Sequence, residues 1–511
     1  MGDNGLLVQY FNANTPADQT LWTQAVKDAP VLKKMGATAV WFPPATKAAR
    51  GKDDVGYATY DLYDLGEFDQ KGSVATKYGT KEEYLAAIKA MKAAGIDVYA
   101  DVAVRQKLGA DKIEAVSAND FNGRPGPQMI GNKRTVGALS KFTFSGRKSK
   151  YSKLKWNWQH FEKIDWKQDE FRQRVIELAG MDPEKAAKEF SKYDYIIGSE
   201  LDLYNQEVYD ELMNWAAWYE TMTGVDGFRF QEAEYVPGWF IKDFSLAAAH
   251  AEKSKVDIEA EKGAKAADGS STDNGSADEP KNIFVVGDFW HWNKDYLNGY
   301  IDSTEGKAAM FDVPLHFNFH DCSYDEGDYD LSRLLDGSLM MSNPAKAVTF
   351  VDNHESQPGG ILESDVREWF KPLAYAIILL REQGYPCLFM GDYQGIAAVK
   401  VKSKKTILNK LLKLRKKYAY GVQHDYFDHP DVVGFTREGD AEHPDSGLAV
   451  IMSDGVGGTK RMYVGRQYAG CHFADVMGNA KYDIKIDDEG CGEFYVNRQG
   501  VAVWIKKGCK L

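Results

Sequence analysis

Residues 225–235, VDGFRFQEAEY, have the pattern of a short buried strand that runs into a polar end. Alternate side chains of a strand share a face, so Arg229 and Gln231 are expected to point one way and Glu232 the other. This pattern predicts an arginine and an amide side by side at the carboxyl end of the strand. In a parallel α/β barrel, that end is where ligands bind and chemistry takes place.

Two other apolar runs also end in acidic side chains. Asp288 follows the run in NIFVVGDFW, and Glu355 ends the run in AVTFVDNHE. Two carboxyl groups can act together, one giving a proton to a leaving group and the other activating water. Asp288 and Glu355 make a carboxyl pair of this type.

Eight apolar runs alternate with longer helical patterns, which is the rhythm of a parallel sheet with crossover helices. A typical helical segment is TKEEYLAAIKAMKAAG at residues 80–95, which closes with a glycine just before the next run. Eight such units predict a (β/α)8 TIM barrel. The predicted strands are residues 6–11, 37–44, 96–104, 225–230, 282–290, 308–317, 347–355 and 387–395.

The spacing of these runs also predicts three domains. About 100 residues separate the third run from the next helical pattern, too many for a simple loop. Short strand-like runs with turn residues follow residue 400 and indicate a C-terminal β-sandwich. The predicted division is residues 1–104 and 206–400 for the barrel, 105–205 for an inserted domain and 401–511 for the C-terminal domain. A polar segment at about 252–280 is predicted to be a mobile surface insertion.

Composition excludes some classes of partner and points to a compartment. The formal net charge of −12 argues against nucleic-acid and anionic-membrane partners, which require a basic surface. The five cysteines are scattered without CxxC spacing, which indicates free thiols in a reducing compartment. The first residues lack the basic and apolar regions of a signal peptide, so a cytoplasmic location is expected.

The segment GFRFQEAEY resembles GFRxDAxKH of the α-amylase family, glycoside hydrolase family 13. Residues 53–80, 347–360, 369–386 and 424–440 are similar to segments of the bacterial liquefying and fungal intracellular branch. The resemblance extends over roughly residues 5 to 507. It implies a catalytic barrel with a domain inserted after strand 3, a C-terminal β domain and a site for α-1,4-linked glucan.

The resemblance also assigns site positions, and three of them are altered. Gln231 stands where the family has its nucleophilic aspartate, and an amide has no anionic oxygen for that role. Asp288 stands at the acid/base glutamate, and Glu355 stands at the third carboxylate, so one side chain is shorter and the other longer. Tyr57, Arg229 and His354 match the sugar-binding partners of the same subsite.

The end of the third strand departs from the family as well. The family motif DxxxNH becomes DVAVRQ, which retains Asp101 and places Gln106 where a histidine contacts the sugar. Arg105 replaces an asparagine that binds a structural calcium, and Glu200 and Tyr204 stand where the second calcium segment has aspartates. A guanidinium in place of an oxygen ligand predicts that the calcium site is lost, with Arg105 paired to Glu200 and no cofactor.

Three functions remain open on the sequence. The first is a catalytically degenerate family member that binds α-glucan or regulates a protein partner, with little or no amylase activity. The second is an active hydrolase or transglycosylase with altered catalytic residues, for which Glu232 would have to swing into the site through an irregular strand end. The third is a non-carbohydrate scaffold that pairs with an active paralogue.

Overall fold

The computed structural model describes residues 4–122, 128–129, 134–169, 172–178, 198–250 and 281–511. The polar insertion predicted at about 252–280 lies outside these residues.

Eight parallel strands close into a barrel in which each strand pairs with its neighbours along the chain. This confirms the predicted TIM barrel, and each predicted run contains or overlaps one barrel strand. The strands, numbered 1 to 8 here, are Leu7–Gln9, Ala39–Phe42, Asp97–Val102, Gly227–Phe230, Phe284–Gly287, Ala308–Phe311, Ala347–Phe350 and Tyr385–Phe389.

Helices connect the strands on the outside of the barrel. Thr80 begins one of them with a capping box, because its side chain accepts from the Glu83 N–H while the Glu83 carboxylate accepts from the Thr80 N–H. The long helices are Leu21–Met35, Lys81–Ala93, Gln206–Thr223, Gly238–Ala249, Lys294–Ser303, Val313–Tyr324, Lys371–Leu380 and Lys405–Lys417, with shorter ones at Leu339–Ser342 and Met390–Gln394.

Alternation along the barrel strands divides the apolar side chains between two cores. One set, including Leu7, Trp41, Tyr99 and Phe311, fills the barrel interior. The other set, including Val8 and Val40, faces the surrounding helices. The polar side chains of the site stand on the interior set, so the filled barrel holds them from below.

The chain segment between barrel strands 3 and 4 forms a separate seven-stranded sheet. Its first strand, Gln106–Lys107, follows barrel strand 3 almost directly and pairs antiparallel with Ser199–Leu201. This pairing sets Gln106 opposite Glu200 across the sheet. The other strands of this sheet are Lys112–Asn122, Gln128–Met129, Arg134–Lys141, Phe161–Asp169 and Arg172–Leu178.

The C-terminal region is β-rich, with a six-stranded sheet packed on a two-stranded one around a common apolar core. Helix Lys405–Lys417, which the sequence analysis grouped with this region, instead packs on barrel helix Lys371–Leu380. The strands are Gln423–Tyr426, Val432–Arg437, Leu448–Ser453, Gly457–Tyr463, His472–Asp475, Ile484–Lys485, Cys491–Asn497 and Gly500–Lys506. None of the helices in the described ranges is long and apolar enough to cross a membrane.

Candidate active site

Barrel strand 4 ends before Gln231, so the alternation of side chains stops before it reaches Glu232. The strand ends at Phe230, and Glu232 adopts the left-handed conformation with φ 48° and ψ 50°. A short 3-10 turn, Ala233–Tyr235, follows, and the Ala233 N–H donates to the Asp288 carbonyl over 2.8 Å. A left-handed residue other than glycine costs roughly 1–2 kcal/mol, so surrounding contacts must hold this turn.

The turn brings the Glu232 carboxyl toward the site. Gln106 Nε2 donates to Glu232 Oε2 over 2.8 Å, and the charge of Glu232 contributes to raising the pKa of Glu355. Glu232 therefore contacts Gln106, a predicted sugar-binding residue, from a backbone that is no longer extended. Strand alternation applies only while the backbone remains extended, and here the strand has already ended.

Arg229 joins the acidic side chains of three barrel strands. Its Nη1 donates to Asp101 Oδ1 and Oδ2 at 3.0 and 3.2 Å, and its Nη2 donates to Asp288. The same Nη2 lies 3.8 Å from Glu355 Oε2. The guanidinium also lies 4.9 Å from the ring centroid of Trp41. The structure thus brings the predicted Arg229, Asp101, Asp288 and Glu355 into one buried cluster.

Tyr57 and His354 extend this cluster as a chain of hydrogen bonds. The Tyr57 hydroxyl donates to Asp101 Oδ2 over 2.7 Å and lies 2.8 Å from His354 Nε2. Because the Tyr57 hydroxyl donates its proton to Asp101, the Tyr57 oxygen accepts a hydrogen bond from the Nε2–H of the His354 ring. His354 Nδ1 then accepts from Gln9 Nε2 at 2.9 Å. Burial, with the positive charge of Arg229, lowers the pKa of His354, which fits this neutral ring.

The carboxyl groups differ in how easily they ionise. Burial and next the negative charge of Asp288 raise the pKa of Glu355 well above its usual value. Burial raises the pKa of Glu232 to about 7, with the positive charge of Arg105 acting in the opposite direction. Burial and then Asp288 raise the pKa of Glu234 to about 8. A carboxyl with a pKa near 7 is suited to exchange protons at neutral pH.

Gln231 lies next to this cluster but brings no charge. Its N–H donates to the Val102 carbonyl over 3.2 Å, and its side chain is half-buried. An amide can orient a sugar hydroxyl but cannot form a glycosyl ester. Gln231 therefore offers an amide at this position and supplies no nucleophile.

The residues at which the resemblance implies calcium ligands form a cluster of ion pairs. Arg105 Nη2 donates to Glu200, as the sequence predicted, and lies 3.6 Å from Glu162 Oε1. Lys163 Nζ lies 3.5 Å from Glu162 and 3.7 Å from Glu200. Calcium requires six to eight oxygen ligands, whereas these carboxylates are matched with cationic nitrogens. The residues present do not fit a calcium ion.

Two site residues escaped the sequence analysis. Gln9 holds His354, and Trp41 Nε1 donates to Asp101 Oδ2 over 3.0 Å. Gln9 is the single polar residue among the apolar side chains of LLVQYF, which is a usable signal for a functional position. Trp41 gave no such signal, because a tryptophan in an apolar strand is typical of a core.

Comparison with known families matches nearly the whole chain. Residues 26–429 match the family described as alpha amylase, catalytic domain, and residues 448–505 match the alpha-amylase C-terminal family. An α-amylase of Geobacillus stearothermophilus is 43% identical over 99% of this chain and 87% of its own length. A cytoplasmic α-amylase of Escherichia coli is 35% identical over 98% of this chain and 99% of its own length.

A further relative has a more specific name, and the fold has solved counterparts. A glucan 1,4-alpha-maltohexaosidase of a Bacillus species is 41% identical over 99% of this chain and 93% of its own length. A crystal structure of an Anoxybacillus α-amylase, 15% identical, covers 100% of this chain and 98% of its own with a TM-score of 0.62, which supports the fold. The catalytic and C-terminal regions both match α-amylase families, and relatives of 35–43% identity cover nearly the whole chain. The chain therefore belongs to the α-amylase family.

Proposed function

We propose that this protein hydrolyses α-1,4-linked glucan with the carboxyl groups of Glu232, Asp288 and Glu355. The observation that carries the proposal is the left-handed turn at Glu232, whose carboxyl accepts a hydrogen bond from Gln106 and lies close enough to Asp288 and Glu355 for their charges to interact. This turn compensates for the amide of Gln231. Glycoside hydrolysis needs two carboxyl groups in different protonation states, and this cluster contains groups of both kinds.

The charges of the cluster suggest a division of roles. Asp288 is paired with the guanidinium of Arg229 and serves as the anionic group that stabilises positive charge on the sugar. Glu232, with a pKa of about 7, gives the proton to the leaving oxygen and takes one from water. Glu355 lies beside Asp288 as a protonated donor to a sugar hydroxyl.

The relatives support α-glucan as the substrate and the cytoplasm as the location. Two of them are named α-amylases and one is named a maltohexaosidase, so a maltooligosaccharide of six or seven units is the first substrate to test. The E. coli relative is named cytoplasmic. All five cysteines are described and free, which suits a reducing compartment.

A second candidate is an α-glucan-binding protein with little or no hydrolysis. The observation that favours it is Gln231, an uncharged side chain where the family motif has its nucleophile. In this case Tyr57, Arg229 and His354 would hold the sugar without cleaving it.

Hydrolysis of maltoheptaose by the purified chain separates the two candidates. The wild type and the Gln231→Ala variant are expected to cleave at similar rates, while Glu232→Gln and Asp288→Asn lose 100-fold or more, a change of about 2.7 kcal/mol or larger in the barrier. If the wild type and these variants are equally inactive, and only Gln231→Asp gains hydrolytic activity, the binding protein is supported instead. Thermal stabilisation by maltoheptaose then measures binding without catalysis, and its absence would leave the scaffold hypothesis.

A further inference from the structure

The ion-pair cluster of Arg105, Glu162, Lys163 and Glu200 lies where the inserted sheet leaves the barrel. Arg105 follows barrel strand 3, and its carbonyl accepts from the Leu201 N–H over 2.9 Å. Glu200 pairs with Gln106 on one side of its strand and with Lys163 on the other. The cluster therefore connects three chain segments that are distant in sequence.

The four side chains match each other in charge. Arg105, Lys163 and Glu200 are buried and Glu162 is half-buried. Among these four groups, two positive charges face two negative charges at separations of no more than 3.7 Å. The Arg105 guanidinium also lies 5.5 Å from the ring centroid of Tyr235, which follows barrel strand 4. A divalent cation placed here would be repelled by two fixed cations, and both carboxylates already form ion pairs with those cations.

We propose that this cluster replaces the calcium ion of the family, so that the protein joins its inserted sheet to the barrel without a metal ion. The planar guanidinium suits this role because it donates to several carboxylates in fixed directions. The inference depends on the family assignment and the geometry of the cluster. It does not depend on whether the protein hydrolyses glucan.

Thermal unfolding of the full-length protein in excess EDTA and in millimolar calcium chloride tests this directly. The apparent Tm is expected to be the same in both solutions. A Tm that falls in EDTA and returns with calcium would overturn the proposal. This comparison needs no variant and no substrate, so an inactive protein would not affect its outcome.

A double-mutant cycle tests whether the ion pair itself makes the connection. Arg105→Met and Glu200→Gln are each expected to lower the Tm by several degrees, because each removes one buried charge and leaves the cluster with an uncompensated charge of the opposite sign. The double variant is expected to lose less than the sum of the two single losses.

Additive losses in this cycle would overturn the proposal. Arg461→Met is the matched control, because Arg461 forms exposed ion pairs with Asp487 and Glu489 in the C-terminal region. The Tm of this control is expected to remain that of the wild type. If Arg105→Met fails to fold, Arg105→Lys, which retains the charge but loses the planar fork, takes its place in the cycle.

Discussion

Gln106 donates from its side-chain amide to the carboxyl of Glu232 over 2.8 Å, and the two residues are 126 positions apart in the sequence. The donor comes from the inserted sheet and the acceptor from the end of barrel strand 4. This contact helps to hold the left-handed turn at Glu232. The inserted sheet therefore takes part in forming the candidate active site.

Removing this donor is expected to change the pH profile of hydrolysis. A hydrogen bond to a carboxylate favours its charged form, so Gln106→Leu should raise the pKa of Glu232 above about 7. With Glu232 as proton donor, the alkaline limb of the kcat/KM profile on maltoheptaose should move up by about one pH unit. Gln9→Leu, which removes a buried amide that contacts His354, should leave the limb in place. A limb that does not move in Gln106→Leu would argue against Glu232 as the donor.

Arg229 should be essential for stability as well as for the site. Arg229→Met leaves Asp101 and Asp288 buried without their cation, which is expected to lower the free energy of unfolding by about 3–5 kcal/mol. Urea unfolding followed by circular dichroism measures this loss. In the control Arg333→Met, an exposed ion pair with Asp336 is removed, and a change within about 0.5 kcal/mol is expected. Equal effects in the two variants would contradict the central role of Arg229.

The hydroxyl of Tyr57 should contribute more to stability than that of the buried Tyr78. Tyr57→Phe removes a bond to the Asp101 carboxylate and a contact with His354, so a loss of about 1.5–3 kcal/mol in unfolding free energy is expected. Tyr78→Phe removes one bond of 2.9 Å to the Val55 carbonyl and should cost about 1 kcal/mol. Urea unfolding of both variants at pH 7 makes the comparison, and a larger loss for Tyr78→Phe would contradict it.

Glu234 should destabilise the folded protein at alkaline pH. Its Oε2 is buried and has no hydrogen-bond partner within the described part of the chain, and burial raises its pKa from 4.5 to about 8. The folded state therefore holds this proton more tightly than the unfolded state, and the stability it contributes below pH 4.5 is lost as the pH rises through about 8.

Replacing this group with a neutral isostere should remove that pH dependence. Glu234→Gln is expected to unfold at the same temperature as the wild type at pH 4 and several degrees higher at pH 9. Calorimetric scans across this pH range provide the measurement. A variant less stable than the wild type at pH 9 would show that the Glu234 carboxylate has a stabilising partner.

Much of the architecture follows from local sequence patterns. The eight barrel strands are apolar runs, and their alternation separates barrel interior from helix-facing surface because side chains of an extended backbone point to opposite sides in turn. Parallel strands of one barrel end at the same rim, and together with the family motif this predicted that Arg229, Asp288 and Glu355 share one site. The pairing of Arg105 with Glu200 followed from charge and from the family motif.

Tertiary structure decided what happens beyond the ends of the strands. Alternation does not account for the position of Glu232, because its left-handed turn is held by Gln106 and by the loop that carries Asp288, neither of which is local in sequence. Gln9 and Trp41 joined the site for the same reason, since their partners His354 and Asp101 lie on other strands. The apolar runs and the alternation of side chains in an extended backbone were sufficient to predict the strands and the rim of the barrel. Long-range hydrogen bonds and burial determined which carboxyl groups face one another and how readily each ionises.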